Sequence, residues 1–324
     1  MTPDEGRLSS ERDVHYFTFV GVTTGESSIN HIFPLWMREL GRPDVVLRGV
    51  DCRIHDDPEV YRRVVLEIRE DPRQLGGLVT THKMDLYAAA HDLFDELDPY
   101  AQQTGEVSCI VHRGGRLVGY AKDPISAGLT MDALLGPGYF GRTGGEVLLL
   151  GSGGAAVATM LHLISKPDPA DRPGRVIVVD CRWSALEHMQ RMVAGRAADM
   201  KITYVHTDQP EVNDRLVGTL PEYSVVINAT GMGKDIPGSP ITDAAVFPRH
   251  GVVWEFNYRG ALDFLRQARA QQADRDLTIE DGWRYFLHGW TQHIAEVLSI
   301  SLTPELFQRL AKIAAKVSGR KEDL

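Results

Sequence analysis

The chain has 324 residues, of which 43% are hydrophobic and 24% charged, and its formal net charge is −9. This length fits two domains of roughly 150 residues each, the composition is ordinary for a globular protein, and the negative charge disfavours a nucleic-acid partner. No segment reaches the ~18 consecutive apolar residues of a membrane span, and the three cysteines are too far apart for a disulfide framework or a metal site, so we expect a cytoplasmic protein with no metal, membrane or nucleic-acid partner.

Strand-like and helix-like patterns alternate through the first half, after thirteen polar residues that predict a loose tail rather than a signal peptide. The strand-like runs are residues 15–22, 44–50, 76–81, 108–112 and 116–120. The helix-like runs are 30–40, 58–70, one that begins at 84, and one that ends near 135 and links the two halves. The last two strand-like runs surround the turn Arg113-Gly114-Gly115, which predicts a β-hairpin.

The alternation is more regular in the second half. Its strand-like runs are residues 146–150, 175–179, 202–205, 223–228 and 251–256. Its helix-like runs extend from a glycine-rich turn to about 164, from 183 to 197, and over most of the chain after 281. Uninterrupted apolar runs are typical of strands buried on both faces, and strands that alternate with helices predict a parallel, doubly wound sheet. The predicted fold class is therefore α/β, with a Rossmann-type sheet in the second half.

The glycine-rich turn follows the first strand of the second half and reads Gly151-Ser152-Gly153-Gly154-Ala155-Ala156. Its first glycine allows the tight turn, its second lets the backbone approach a pyrophosphate, and the small residue in the third glycine position lets helix and strand pack closely. Backbone N–H groups at the start of the helix can then bind the phosphates. An ordinary strand-to-helix turn is the alternative. The buried strand before the turn and the alanine-rich helix after it favour a dinucleotide site over residues 151–155.

Asp180 ends the next strand, near the ~20-residue spacing at which an acidic residue binds the ribose of a dinucleotide. A carboxylate there accepts hydrogen bonds from a 2′-hydroxyl and repels a 2′-phosphate, so NAD is favoured. Arg182 could instead bind a 2′-phosphate, which keeps NADP as the alternative. Asp180 could also be a helix N-cap, a role for which Ser184 competes.

Four further patterns accompany the glycine turn. They are Gly21-Val22-Thr23-Thr24-Gly25-Glu26-Ser27, Leu78-Val79-Thr80-Thr81-His82-Lys83, Gly119-Tyr120-Ala121-Lys122-Asp123 and Asn228-Ala229-Thr230-Gly231-Met232-Gly233. Together with the turn, their order and spacing resemble the shikimate/quinate dehydrogenase family over nearly the whole chain. The resemblance implies an N-terminal α/β substrate domain over residues 1–130, a Rossmann domain over 131–282, and a cleft between them. It also implies that the helices of 283–324 pack back on the substrate domain.

Two residues match the catalytic positions of that family. Lys83 lies where a lysine closes its Asn-Val-Thr-x-Pro-x-Lys motif, and Asp123 lies where an aspartate closes its Asn-Thr-Asp motif. This chemistry suits the oxidation of a secondary alcohol, since a lysine desolvated in a cleft has a lowered pKa and can take the hydroxyl proton while a hydride leaves the carbon. Asp123 would orient the lysine. A surface lysine and a loop aspartate are the alternative.

The fourth pattern follows a predicted strand at the carboxyl edge of the sheet, where open α/β folds bind ligands. The resemblance implies that Asn228, Thr230, Gly231 and Met232 lie beside the ribose and the nicotinamide. A glycine-rich turn without ligand contact is the alternative.

Several substrate contacts of the family are altered in this chain. The candidate substrate-binding residues are Ser27, Thr80, Thr81, Ser108, Tyr258 and Gln292. However, the second serine of the family's Ser-x-Ser pair is replaced by Ile29, and Ser108 replaces the asparagine of its Ala-Val-Asn-Thr motif. The substrate glutamine is displaced, unless Gln292 one turn later replaces it. These changes remove polar partners for a carboxylate and a vicinal diol, and a site that lacks them is not built for shikimate.

The sequence thus predicts an NAD(P)-dependent oxidoreductase that acts on a cyclic hydroxy acid, keto acid or cyclitol related to shikimate. A shikimate or quinate dehydrogenase proper is the alternative within the class. A cofactor-binding regulator, or a lyase or isomerase on the same scaffold, is the alternative from another class. A homodimer is compatible with the sequence.

Overall fold

The computed structural model of the chain describes residues 14–196, 199–234 and 236–320. The chain divides into two compact units: the first comprises residues up to Lys122 and those from Trp290 onward, and the second is Asp123–Gly289. The domain borders expected from the sequence lie at 130/131 and 282/283, a few residues from these divisions. The expected loose tail over 1–13 and the expected helix end at Ala197 lie outside the described residues.

Six strands form the sheet of the first unit: β1 (His15–Gly21), β2 (Val45–Asp51), β3 (Gln74–Val79), β4 (Glu96–Leu97), β5 (Cys109–Arg113) and β6 (Arg116–Tyr120). Their order is β2-β1-β3-β5-β6-β4. Strand β1 is parallel to β2 and β3, whereas β5 is antiparallel to β3 and β6, which confirms the hairpin expected around residues 113–115. The ends of β1, β3 and β6 and the start of β5 therefore meet at one edge of this sheet.

Four helices connect these strands: α1 (Ile29–Glu39), α2 (Pro58–Glu70), α3 (Lys83–Ala90) and α4 (Pro99–Thr104). Helices α2 and α4 begin alike, because an aspartate caps each of them and a proline occupies the first turn. The side chain of Asp57 accepts a hydrogen bond from the backbone of Glu59, and that of Asp98 accepts one from the backbone of Ala101. Sequence periodicity did not predict α4 or the two-residue strand β4, since neither is long enough to show a pattern.

The second unit has a fully parallel sheet. Its strands are β7 (Val147–Leu150), β8 (Arg175–Asp180), β9 (Lys201–His206), β10 (Val225–Asn228), β11 (Val252–Glu255) and β12 (Thr278–Glu280). Their order is β12-β11-β10-β7-β8-β9, with parallel pairing throughout. Strands β7 and β10 are both fully buried, as their apolar runs predict. The chain order reverses between β10 and β7, and ligands bind outside the carboxyl ends of the strands at such a point.

The helices of the second unit are α5 (Asp123–Leu135), α6 (Tyr139–Thr143), α7 (Gly154–Ser165), α8 (Trp183–Val193), α9 (Pro210–Gly218), α10 (Asp263–Arg269) and α11 (Gln272–Arg275). Helix α8 ends at Val193, four residues before the expected end. Helices α9 and α10 were not expected from the sequence, because both are short. The two sheets, each combined with helices, confirm the α/β fold class.

The C-terminal part forms two helices, α12 (Trp283–Leu298) and α13 (Pro304–Ser318). Ser299 adopts a positive φ of 55° between them, and Thr303 caps α13 by accepting a hydrogen bond from the backbone of Leu306. Within the first unit, α13 packs on α1, where the indole of Trp36 donates a hydrogen bond of 2.7 Å to the carbonyl of Leu310. None of the described helices is long and apolar enough to cross a membrane.

Candidate active site

The glycine turn leaves β7 in a conformation that requires glycine at its first position. Gly151 has a φ of +102°, and a Cβ atom there would lie 2.8 Å from the carbonyl oxygen of Ala229. Its N–H donates a 2.7 Å hydrogen bond to Val179, which ties the turn to β8. The N-cap of α7 is Gly153, which offers no side-chain cap to the first turn. The first amides of α7 are thus suited to an external anion such as a pyrophosphate.

Asp180 binds the glycine turn directly. One carboxylate oxygen accepts hydrogen bonds from the backbone N–H (2.8 Å) and the hydroxyl (2.9 Å) of Ser152, and the other accepts from the backbone of Arg182 (2.9 Å). Burial would raise the pKa of Asp180, but the hydrogen bonds from Arg182 and Ser152 outweigh it and hold the pKa below its usual value. The alternative role as a helix N-cap is wrong for both Asp180 and Ser184, since Arg182 occupies that position of α8.

The arginine near this carboxylate is mostly in solvent. The side chain of Arg182 is 65% exposed, and its Nε atom lies 3.5 Å from Asp180. A carboxylate with a lowered pKa and an exposed guanidinium therefore lie together at the end of β8. The first suits a ribose diol and the second suits a phosphate.

The loop after β10 is held by short side-chain hydrogen bonds. The side-chain oxygen of Asn228, a buried residue, accepts from the backbone N–H (3.1 Å) and the hydroxyl (2.6 Å) of Thr230. The Thr230 hydroxyl in turn accepts from the backbone of Met232 at 3.1 Å. Gly231 lies between these two residues. The structure thus joins all four residues predicted to lie beside the nicotinamide in one loop, at the carboxyl end of the strand that neighbours β7.

Two residues that the sequence did not reveal support this loop. Glu255, fully buried at the end of β11, accepts a hydrogen bond from the side-chain amide of Asn228. Asn257 donates to Glu255 from both its backbone and its side chain at 2.7 Å, and its side chain also lies 3.1 Å from the carbonyl oxygen of Thr230. The available signal was an acidic residue that ends a buried apolar run, as Asp180 does in β8.

Lys83 is the first residue of α3, directly after the loop that leaves β3. Its side chain is half-buried, and its backbone carbonyl accepts a hydrogen bond from Val107 at 3.1 Å. The preceding residue, His82, is buried and points to the hydroxyl of Tyr61 at 3.2 Å. The lysine therefore lies at the edge of the sheet of the first unit while its histidine neighbour belongs to the core.

Asp123 is buried and is the first residue of α5, in the second unit. Its neighbour Lys122, the last residue of the first unit, forms an ion pair with Glu296 of α12. The Lys122 ammonium also lies 4.6 Å from the centre of the Tyr120 ring. Burial and the Glu296 carboxylate together raise the pKa of Tyr120 to about 12. Lys122 replaces a threonine of the family motif, and here it is neutralised locally.

The hydroxyl of Ser108, a predicted substrate residue, has partners from two other segments of the first unit. Its hydroxyl, fully buried just before β5, accepts a 2.8 Å hydrogen bond from the backbone of Lys122 and lies 3.3 Å from the Nε2 atom of His293. His293 is buried on α12, whereas the predicted residue Gln292 is half-buried beside it. The sequence indicated Gln292, but the described contact with Ser108 is made by its neighbour.

The remaining predicted residues of the first unit follow β1 and β3, which are adjacent and parallel. Thr80 is half-buried and donates a backbone hydrogen bond of 3.0 Å to Val20, while Thr81 is exposed. Ser27 is half-buried at the end of a short 3-10 turn. Together with Ser108, these residues lie at the same edge of the sheet.

Tyr258, the last predicted substrate residue, belongs to the second unit. Its ring lies 4.9 Å from Phe286 and 5.7 Å from Trp283, and those two rings are themselves stacked. Its described contacts are thus aromatic.

Known proteins with similar sequences share one name, shikimate dehydrogenase (NADP(+)). No family model matches the chain. The shikimate dehydrogenase (NADP(+)) of Symbiobacterium thermophilum is 30% identical over 200 residues, which cover 61% of this chain and 64% of that protein. The chain thus spans just under two thirds of the length of this relative.

Solved structures share the fold over nearly the whole chain. The shikimate 5-dehydrogenase of Listeria monocytogenes, in complex with shikimate and NAD, has a TM-score of 0.71 and 17% identity, and the match covers 96% of this chain and 99% of that one. The quinate dehydrogenase of Corynebacterium glutamicum, in complex with NAD, has a TM-score of 0.71 and 18% identity, with 94% and 99% covered. At these identities the similarity shows the fold.

Proposed function

We propose that this chain, which its sequence relatives and solved neighbours support as a member of the shikimate/quinate dehydrogenase family, is an NAD(P)-dependent oxidoreductase acting on a CH–OH group. The observation that carries the proposal is the bond between Asp180 and Ser152, which joins a ribose-type carboxylate to the glycine turn at the reversal point of a parallel sheet. In a turn that binds no ligand, there would be no reason to leave the start of α7 uncapped or to place a carboxylate with a lowered pKa beside it.

The cofactor would lie along the carboxyl edge of the second sheet. Backbone amides of residues 151–155 would bind the pyrophosphate, Asp180 the adenosine ribose, and the loop 228–233 the nicotinamide end. The ionised carboxylate of Asp180 favours NAD, while the exposed Arg182 is the group that would bind NADP. The relatives include proteins named for NADP+ and structures solved with NAD, so direct titration must decide.

Lys83 and Asp123 are the proposed catalytic residues, by their match to the family motifs. The bound nicotinamide would accept a hydride from the carbinol carbon of the substrate. Lys83 would take the proton of the same hydroxyl, so that an alcohol becomes a ketone and the lysine becomes an ammonium. In the reverse direction the ammonium returns the proton to the developing alkoxide. Asp123 would stabilise the ammonium form.

The substrate is proposed to be a cyclic hydroxy acid, keto acid or cyclitol that differs from shikimate. The proposal rests on Ser108, whose hydroxyl is already bonded to Lys122 and close to His293. An asparagine amide at this position could offer one acceptor and two donors to a ligand, whereas this hydroxyl has most of its capacity occupied. A homodimer and a cytoplasmic location are further expectations that come from the sequence.

The test is turnover with NAD and with NADP against a panel of cyclohexane polyol acids and cyclitols, followed by the absorbance of the reduced cofactor. We expect turnover of at least one member other than shikimate. Failure of every member, with the cofactor still bound, would refute the oxidoreductase and leave a cofactor-binding regulator or a non-redox enzyme. Efficient turnover of shikimate would refute the altered substrate alone.

Titration of the protein with NADH and with NADPH decides which cofactor it prefers. Arg182→Ala should weaken NADPH binding about tenfold and leave NADH binding unchanged, because only NADPH has a 2′-phosphate for the guanidinium. Asp180→Asn should weaken NADH binding, since the carboxylate both accepts from the ribose and holds Ser152. Tighter binding of NADPH than of NADH by the unmodified protein would refute the preference for NAD.

A further inference from the structure

Glu255 is a buried carboxylate in an unusual setting. It ends β11, and its register partner on β10 is Asn228. One of its oxygens accepts from the side-chain amide of Asn228, and the other accepts from the backbone and the side chain of Asn257. Among the described residues, the groups that bond this fully buried side chain are uncharged amides. A carboxylate held in this way costs stability, so its presence calls for a functional reason.

Both sets of hydrogen bonds lead from Glu255 to the loop 228–233. On one side, Asn228 bonds the backbone and hydroxyl of Thr230, and Thr230 bonds the backbone of Met232. On the other side, the Asn257 amide lies 3.1 Å from the carbonyl oxygen of Thr230 and 3.3 Å from that of Met232. The carboxylate is therefore the common support of the backbone on which the nicotinamide end of the cofactor would rest.

We propose that Glu255 is a positioning residue, which holds the loop 228–233 in the conformation that binds the dinucleotide. This inference rests on the proposed cofactor function. It assigns Glu255 no contact with the cofactor, because the carboxylate acts through Asn228 and Asn257.

The hydrogen-bond pattern requires the ionised form of Glu255. Since the backbone N–H of Thr230 can only donate, the side-chain oxygen of Asn228 must face Thr230, and its nitrogen must face Glu255. The groups that meet the carboxylate are therefore all donors. If the Glu255 oxygen near Asn228 carried a proton, its O–H would face the N–H of the Asn228 amide, and two donors cannot bond each other. Turning the Asn228 amide over would remove this conflict but would break both of its hydrogen bonds with Thr230.

Burial also brings the pKa of Glu255 close to neutral pH. Desolvation raises the pKa of Glu255 to about 7, although the hydrogen bonds from Asn257 and Asn228 oppose the shift. Among the described residues, the negative charge of Asp281, between β12 and α12, also raises the pKa, as the smallest of these contributions. The facing residues of β10 and of the loop after β11 are asparagines. The loop should thus be well ordered for cofactor above about pH 7 and less so below it.

The experiment is the binding of NADH, which lacks the titrating 2′-phosphate of NADPH, between about pH 6 and about pH 8. For the unmodified protein we expect the affinity to fall about tenfold as the pH falls through the pKa of Glu255. Glu255→Gln imitates the protonated form, so it should bind NADH about tenfold more weakly at the higher pH and show no pH dependence. Glu255→Asp keeps the charge and should keep a pH dependence.

Asp281→Asn provides a test that does not alter the carboxylate itself. Removing this negative charge lowers the pKa of Glu255, so the midpoint of the affinity change should move to lower pH. Asparagine can still accept the 2.8 Å hydrogen bond that Asp281 receives from Trp283 at the start of α12. Asp214→Asn is the matched control: this carboxylate binds Thr242 in the same unit, outside the loop 228–233, and its loss should leave the wild-type pH profile.

The outcomes separate the inference from the proposed function. NADH affinity that is independent of pH in the unmodified protein, or a pH profile of Glu255→Gln identical to the wild type, would overturn the role of Glu255 while the enzyme class stands. An unmoved midpoint in Asp281→Asn would also count against it. Failure of both NADH and NADPH to bind at any pH would overturn the proposed function, and this inference with it.

Discussion

The carboxyl edges of the two sheets differ in what their polar residues bind. In the second unit, Asp180 is bonded to Ser152 of the glycine turn and Glu255 to Asn228 of the loop 228–233, while the first turn of α7 has no side-chain cap. In the first unit, Ser108 and Lys122 are bonded to His293 and Glu296 of α12. The proposed cofactor edge therefore keeps amides that no side chain caps, whereas Ser108 and Lys122 at the proposed substrate edge are bonded to side chains of α12. Under the proposed function, the cofactor edge follows the family pattern and the substrate edge departs from it.

The largest expected effect is on turnover and comes from replacing Lys83, the proposed proton acceptor. Lys83→Ala should reduce turnover about a thousandfold, because it removes the proposed proton acceptor. Its affinity for NADH should not change, since Lys83 belongs to the first unit. Lys312→Ala, an exposed lysine on α13, is the control and should keep full activity. Equal turnover by Lys83→Ala and the wild type would remove Lys83 from the mechanism but leave the cofactor site intact.

The next effect tests whether the glycine turn serves the fold, the cofactor or both. Gly151→Ala should destabilise the protein by on the order of 3 kcal/mol, because alanine is strained at a φ of +102° and its Cβ would press on Ala229. In Gly153→Ala, by contrast, the added Cβ meets no heavy atom of the described residues within 4 Å. Gly153→Ala should melt like the wild type and bind NADH at least tenfold more weakly. Thermal melting and NADH titration of both variants check this pair.

Equal loss of stability in the two glycine variants would contradict this division of roles. Normal NADH binding by Gly153→Ala would contradict it more severely, because the backbone approach at that position would then not be needed.

The difference between the two sheet edges also explains how much of the candidate site could be predicted from the sequence. The glycine turn, Asp180 and the loop 228–233 are contiguous motifs whose spacing follows from strand and helix geometry, and the structure brings them to one edge. Lys83 and Asp123 were identified by resemblance, and their roles stay predictions. Contacts such as Ser108 with His293 join residues 185 positions apart, and no local pattern records which residue of α12 turns inward.

Elements were missed for a related reason. Helix α9 has nine residues and β12 has three, so both are too short for sequence analysis to detect a period. The role of Glu255 was missed because it depends on Asn257 and on the pairing of β10 with β11. Packing between elements, rather than the preference of any one segment, sets these features.

A third effect concerns the cost of the supporting carboxylate. The pKa of Glu255 is about 7 in the folded protein, above the ordinary value of about 4.3. Between about pH 4 and about pH 7, Glu255 therefore keeps its proton in the folded state but loses it in the unfolded state. The contribution of this group to the free energy of unfolding is fully present below about pH 4 and is lost as the pH rises through about 7. Glu255→Gln should remove this dependence, a difference on the order of 3 kcal/mol across the range. Urea unfolding at several pH values measures it.

Stability and cofactor affinity should then change in opposite directions with pH, since the ionised carboxylate that positions the loop is also the form that burial disfavours. A protein whose stability rises between pH 5 and pH 7, with the rise abolished in Glu255→Gln, would contradict this assignment. Asp214→Asn again serves as the control and should keep the wild-type slope.

The smallest expected effect lies at the substrate edge and decides which residue of α12 faces the substrate. His293→Ala removes the partner that orients Ser108, so the KM for the substrate identified by the panel should rise about tenfold, or about 1.4 kcal/mol, while NADH affinity stays close to wild type and the cavity left by this buried side chain lowers the melting temperature. Gln292→Ala, on the adjacent position of the same helix, should change KM less, because Gln292 is half-buried and His293 makes the described contact with Ser108. The reverse order would mean that Gln292 takes over the role of the displaced family glutamine. The substrate edge would then be closer to the family pattern than the bonds of Ser108 imply.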